Sequence, residues 1–237
     1  MKYDIEEIKR FVENFSLNED GAFTEEDVDN FISSIDVNKV PDFDFDSGAT
    51  KLVIIPEDRD YVIKIPFNGY YMEDDYEEEG EEYNKYFWEF EGAEGKDHSN
   101  YCEAERFLYE KAKKEGFEGM FLPIELLHII DDYPIYIQQK AIPNSELSSA
   151  TTTFFSSKES KNIIEGKKVK ENCENCLYKF PLNWLASSME VLGSYNKLYN
   201  FGMFLQSTGI SGDLHNANIG YCNESAVIID YGGYHDN

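Results

Sequence analysis

The amino-acid sequence predicts an α+β fold, on three observations. Apolar, β-rich runs crowd into residues 51–66 and 119–141, helical patterns flank them on both sides, and one more short apolar run, Val227-Ile-Ile, comes just before the end of the chain. At 237 residues, 41% of them hydrophobic, there is enough apolar material for one compact domain or two small lobes.

The elements follow in chain order. Residues 1–46 hold two amphipathic helical patterns, Ile5 to Phe15 and Val28 to Ile35, the second announced by the capping box Thr24-Glu-Glu-Asp27. They are expected to form a helical extension packed on the strands. Asn18-Glu-Asp-Gly-Ala-Phe lacks the alternating ligands and terminal glutamate of a calcium loop. Lys51-Leu-Val-Ile-Ile-Pro56 and Tyr61-Val-Ile-Lys64-Ile-Pro66 read as strands joined by the polar turn Glu57-Asp-Arg-Asp60, with Ser47-Gly48-Ala49-Thr50 at a hairpin tip. An aromatic-rich insert covers about 67–100 and contains the acidic run Glu73 to Glu82.

Asn100 to Gly116 has helical composition, a glycine stop and lysines in its last turn, where they complement the helix dipole. Gly119 to Ile130 and Ile135 to Ala141 predict two more strands around the turn Asp131-Asp-Tyr-Pro134. The Ser/Thr/Lys-rich residues 144–172 predict a linker, and Leu182 to Gln206 a helix or helix pair.

Charge excludes some partners. At a formal −26 the surface repels nucleic-acid phosphates and anionic membranes, so neither is expected as a partner. No run of eighteen apolar residues is present, and Met1-Lys-Tyr-Asp-Ile-Glu-Glu has neither signal- nor transit-peptide character, which predicts a cytoplasmic protein. The four cysteines suit that compartment: Cys173-Glu-Asn-Cys176 is the close pair, and Cys102 and Cys222 have no spacing to complete a metal site with it.

The chemistry concentrates near the carboxy terminus. Ser211-Gly-Asp213-Leu-His215-Asn-Ala-Asn218, followed by Val227-Ile-Ile-Asp230-Tyr-Gly232, sets an acid, an amide and a second acid in close order around a strand. Phosphoryl transfer needs such groups: a carboxylate to orient the attacking hydroxyl and take its proton, and oxygen ligands for magnesium. This resembles the D-x-x-x-x-N and D-F-G elements of the protein-kinase superfamily, and Tyr61-Val-Ile-Lys64 resembles its V-A-I-K strand.

The resemblance covers roughly Asp46 to the end and implies a two-lobed protein-kinase-like fold, with an antiparallel strand lobe over 47–141 and a truncated helical lobe over 142–237. It implies ATP and Mg²⁺ as cofactors, Asp213 as base, and Asn218 and Asp230 as metal ligands. Lys64 would contact the phosphates with Glu105 as its ion-pair partner, or Glu103 as the fallback. Gly48 and Ala49 would approach the phosphates by their backbone, although one glycine is a departure from G-x-G-x-x-G. Gln138, Gln139 and Lys140 would form the adenine-binding hinge, with Val53, Val62 and Ile228 as apolar walls.

Two further departures refine the expectation. Ser211-Gly212-Asp213 replaces H-R-D, removing the arginine that reads a phosphorylated activation loop. His215 stands where serine/threonine kinases carry a lysine on the γ-phosphate, a form similar to aminoglycoside and choline phosphotransferases. Only Tyr231 to Asn237 follow Asp230, which leaves no room for a small-molecule acceptor pocket and favours a protein substrate. The chain thus resembles the compact kinases of bacterial effectors and phages, which would act in a host cytosol. The expected function is a protein serine/threonine kinase with a basic protein as partner; the acidic run is by its composition a solvated face, and the alternative is a docking site for that partner, with Tyr83, Tyr86, Phe87, Trp88 and Phe90 as apolar anchors. The alternatives are a pseudokinase or acidic interaction module, and a small-molecule phosphotransferase.

Overall fold

The computed structural model describes residues 3–19, 21–67, 100–130, 133–146, 158–165, 176–212 and 214–232. The acidic run Glu73 to Glu82 and its aromatic neighbours lie outside the described residues, as does Cys173. The fold is α+β, with a five-stranded antiparallel sheet, a second sheet of three strands, and helices. The chain forms two compact units, Met1–Ala104 with Ile124–Lys140 and Glu105–Pro123 with Ala141–Asp236. Among the described residues no helix is long and apolar enough to cross a membrane.

In the first unit, α1 (Ile5–Phe11) and α2 (Glu25–Ser34) precede β1 (Phe43–Ser47), β2 (Lys51–Pro56) and β3 (Tyr61–Pro66). The opening turn of α3 (Tyr101–Glu115) and the hairpin β4 (Ile124–Ile130) and β5 (Tyr133–Gln139) complete it, in the strand order β1-β2-β3-β5-β4. α1 is shorter than its apolar pattern because the chain leaves the helix at Val12, although Val12 and Phe15 remain buried. α2 starts on its capping box, Asp27 accepting the Thr24 N–H at 2.8 Å.

One sheet face is apolar. Leu52, Ile54, Ile63, Ile65, Ile135 and Ile137 pack with Ile8, Phe11, Val28 and Phe31 of the two helices in a single core cluster. The helical extension is therefore part of this core. It is also shorter than 46 residues, because Phe43-Asp-Phe-Asp alternates with a period of two and forms an edge strand, pairing Phe43 with Pro56 and Asp46 with Val53. Tyr133 and Pro134, expected in a turn, open β5. A strand's first residues tolerate proline, and the Tyr133 hydroxyl donates to the Phe67 carbonyl at 2.8 Å and also to that of Pro66.

A charged clamp ties α1 to this sheet. Arg59 grips Glu7 through Nε (2.8 Å) and a terminal nitrogen (2.9 Å), and the Tyr61 hydroxyl donates to the same carboxylate at 2.9 Å. The hydrogen bond from Arg59, ahead of that from Tyr61, holds the Glu7 carboxyl below its ordinary value.

In the second unit, β6 (Ile142–Pro143) pairs with β7 (Ile219–Cys222), and β7 with β8 (Ser225–Ile228). α4 (Lys158–Ile164), α5 (Leu182–Leu192) and α6 (Tyr195–Ser207) complete the unit. α5 and α6 are a helix pair, divided at Gly193, whose φ of +76° suits a residue without Cβ, and at Ser194, whose hydroxyl caps α6 by accepting the Lys197 N–H. α4 lies within the expected linker. Its polar composition hides a buried face in which Ile163 is fully enclosed and the Ser160 hydroxyl donates to Glu190 of α5 at 2.6 Å.

Glu7 gives the first prediction. A carboxyl lowered in the folded state contributes stability above its unfolded value, and that contribution is lost as pH falls through the folded one. Glu7→Gln should lower the melting temperature by a few degrees at neutral pH, the gap to the parent closing as the pH falls below the carboxylate range. Thermal melts across pH check this; a gap independent of pH would contradict it.

Candidate active site

The carboxy-terminal motif is organised by one hairpin. β7 and β8 pair Ile219 with Ile228 and Gly220 with Val227, and turn at Asn223 and Glu224, whose φ values of +49° and +66° are those of a two-residue primed turn. At the open end the Asn218 carbonyl accepts the N–H groups of Ile229 (2.8 Å) and Asp230 (3.3 Å). The backbones of the two predicted residues are thus joined by a hydrogen bond. Both residues are partly exposed.

The loop before Asn218 is fixed from several directions. The Asn218 N–H donates to the His215 carbonyl at 3.0 Å, and the exposed His215 ring accepts the Ala217 N–H at 3.2 Å through Nδ1. Asn216 is held by the 3₁₀ turn Asn144–Glu146, its carbonyl accepting the Ser145 N–H at 3.0 Å. Asp213 lies outside the described residues, between the 3₁₀ turn Ile210–Gly212 and the buried Leu214.

Support beneath the hairpin comes from residues that carry no motif. The buried Trp184 indole N–H of α5 is shared between the carbonyls of Gly220 (3.2 Å) and Val227 (3.3 Å), and the Ser187 hydroxyl one turn later accepts the Ala226 N–H at 3.0 Å. Gly220 has a strict reason to be glycine: a Cβ there would lie 2.2 Å from the Ile142 carbonyl oxygen of the neighbouring strand. Tyr231 is buried against Phe121, ring centroids 5.0 Å apart, and its hydroxyl donates to the Leu122 carbonyl at 2.5 Å. The i, i+3 spacing of Trp184 and Ser187 is the sequence signal for this support, and it is indistinguishable from ordinary core until the hairpin is placed.

The first unit holds a different polar cluster, and a buried one. Val53 pairs with Lys64, and Lys64 with Tyr136, so these side chains share the sheet face opposite the apolar core. Lys64 is 2% exposed. The Tyr136 hydroxyl accepts from the Asn100 amide (2.9 Å) and donates to the Glu103 carboxylate (2.5 Å). Burial, and after it the Glu103 charge, raise the Tyr136 phenol so that it remains a donor. Asn100 also caps α3, its Oδ1 accepting the N–H groups of Cys102 (3.1 Å) and Glu103 (3.2 Å), a role marked in the sequence by Asn-x-x-Glu.

The other expected positions fall as follows. Gly48 and Ala49 are exposed in the β1–β2 turn, where the Gly48 N–H donates to the Lys51 carbonyl at 3.1 Å. Gln138 is buried near the end of β5, opposite Val62, and Gln139 ends that strand opposite Tyr61. The Lys140 N–H donates to the Asp60 carbonyl at 2.8 Å. Glu105 is fully buried, unlike Glu103. Lys64, Gly48, Ala49 and the glutamines belong to the first unit; Glu105, His215, Asn218, Asp230 and Ile228 belong to the second.

Asn218 and Asp230 offer an amide oxygen and a carboxylate, the hard donors that magnesium takes. No group of three or more His, Cys, Asp or Glu suited to a metal occurs among the described residues. Cys176 is no candidate nucleophile, since burial raises its thiol to about 11 and it donates to the Gly202 carbonyl at 3.4 Å. No family model, curated protein or solved structure matches the chain.

Trp184→Phe keeps most of the apolar volume and removes the donor shared by the two strands. The expected cost is about 1–3 kcal/mol, the range for leaving buried acceptors unmet, read from the shift in urea midpoint. An unchanged midpoint would mean that the indole hydrogen bonds do not support the hairpin.

Proposed function

We propose that this chain is an ATP-dependent phosphotransferase with a two-lobed, protein-kinase-like organisation, transferring the γ-phosphoryl group to a serine or threonine hydroxyl of a protein. The observation that carries the reading is the double hydrogen bond from the Ile229 and Asp230 N–H groups to the Asn218 carbonyl, which ties the backbones of the residues that carry the amide and the second acid at the base of one hairpin. A second support is Lys64, whose place in the middle of β3 matches that of the lysine in the V-A-I-K strand and whose side chain is buried on the sheet face opposite the apolar core.

In this reading Asp213 orients the acceptor hydroxyl and takes its proton as the oxygen attacks the γ-phosphorus, while the bond to the β-phosphate oxygen breaks and ADP departs with that electron pair. Lys64 contacts the phosphate oxygens, with Glu105 as the carboxylate that balances it. Asn218 and Asp230 hold magnesium, which neutralises charge on the phosphates when bound. His215, exposed just ahead of Asn218, is a phosphate contact. A net charge of −26 favours a basic protein acceptor.

The roles separate by mutation. Asp213→Asn should reduce transfer by at least about 10²-fold with nucleotide affinity retained, whereas Asp230→Asn should weaken magnesium-dependent nucleotide binding itself. Calorimetry with Mg-ATP and phosphate transfer to a basic protein acceptor read the two effects. Unchanged turnover in Asp213→Asn would remove the base from this assignment.

A further inference from the structure

β1 is an edge of the five-stranded sheet, with β2 on one side and, among the described residues, no strand on the other. The register decides which backbone groups face that open side. The Glu57 N–H donates to the Asp42 carbonyl at 2.6 Å and the Gly48 N–H to the Lys51 carbonyl at 3.1 Å, one bond at each end of the β1–β2 ladder. Hydrogen-bonded and non-hydrogen-bonded pairs alternate along an antiparallel ladder. Asp44 and Asp46 therefore direct their N–H and C=O groups to β2, and Phe43, Phe45 and Ser47 direct theirs outward. Pro56, opposite Phe43, fits this phase, because a non-hydrogen-bonded pair needs no N–H from it.

Side chains alternate with the same period. Phe43 and Phe45, opposite Pro56 and Ile54, lie on the side of the sheet that carries the apolar core; Phe43 packs on Phe11 with ring centroids 5.5 Å apart, but Phe45 is 44% exposed. Asp44 and Asp46 lie on the other side, both exposed, and neither forms an ion pair among the described residues. Charge on an edge strand discourages pairing with a like strand. A second copy of β1 laid antiparallel, Phe45 opposite Phe45, would set Asp44 against Asp46 twice. A strand with cations at those two positions meets attraction at both, and an apolar side chain between them falls opposite Phe45.

We infer that the outer edge of β1 is a docking site for an extended basic segment of another protein, which adds to the sheet as a further antiparallel strand with Lys or Arg opposite Asp44 and Asp46 and an apolar residue opposite Phe45. The outward N–H and C=O groups of Phe43, Phe45 and Ser47 supply the main-chain bonds, and the alternating side chains supply selectivity. Docking of this kind needs neither nucleotide nor metal, so it stands apart from the phosphotransferase reading.

The test titrates the full chain into a fluorescein-labelled peptide of alternating lysine and valine, read by anisotropy. The same peptide N-methylated at its valines, which would pair with Phe43, Phe45 and Ser47, should bind at least about tenfold more weakly, because it lacks the ladder donors while keeping its charge. Asp44→Lys combined with Asp46→Lys should weaken the lysine–valine peptide about tenfold and favour a glutamate–valine peptide instead. A lysine–valine peptide that does not bind, that binds as tightly when N-methylated, or that binds the double variant as tightly as the parent overturns the docking site. Should the double variant fail to fold, hydrogen exchange on the parent decides: the peptide should slow exchange of the Phe43, Phe45 and Ser47 N–H groups, and exchange there unchanged by saturating peptide refutes strand addition.

Discussion

The Asn218 carbonyl is the point on which the carboxy-terminal motif depends. By accepting two successive N–H groups it closes the open end of the β7–β8 hairpin and fixes the backbone of Asp230 relative to that of Asn218. Each such bond contributes only about 1 kcal/mol net, so the arrangement persists because the surroundings leave the hairpin little freedom. Trp184 and Ser187 bind both of its strands from one helix face, Ile142 passes too close to Gly220 for any side chain, and Tyr231 is anchored to Leu122 just beyond Asp230. The metal-binding role proposed for this pair would draw on such rigidity, since a ligand set that must be ordered on binding loses affinity to that ordering.

The five-stranded sheet works by a different constraint, the alternation of side chains along a strand. One face of β2, β3 and β5 is isoleucine and leucine packed on the amino-terminal helices, and the other collects Lys51, Lys64, Tyr136 and Gln138. Shifting the register by one residue would exchange the faces and bury the lysines among the isoleucines. The apolar core therefore does more than stabilise: it commits the cations to one side. The Asn100–Tyr136–Glu103 chain of hydrogen bonds adds to this by holding the start of α3 on the same polar face.

Legibility in the sequence followed the strength of local patterns. Lys51 to Pro56 and Tyr61 to Pro66 were readable as strands because β-branched residues and polar turns bound them, and the α5–α6 pair because apolar residues recur at helical spacing and a glycine divides them. β1 is hard to read because two of its five residues are aspartates, and β6 because two residues make no pattern. α4 was hidden by its Lys and Ser content, although Ser160 and Ile163 face inward. Among the candidate residues, Asn218, Asp230 and Lys64 stand out by residue type and spacing. Trp184, Ser187 and Tyr136 do not, because their roles consist of hydrogen bonds to partners distant in sequence, whereas the cap that Asn100 forms on α3 is local.

The claim that Asn218 and Asp230 form a metal-binding pair for a nucleotide is tested most directly by backbone amide NMR of the ¹⁵N-labelled protein with manganese in place of magnesium. The account predicts that paramagnetic broadening in the presence of ADP centres on Asn218, Ile219, Ile229 and Asp230, and disappears from them in Asp230→Asn. Broadening confined to the acidic run Glu73 to Glu82, or unchanged at the hairpin whether or not nucleotide is present, would contradict it.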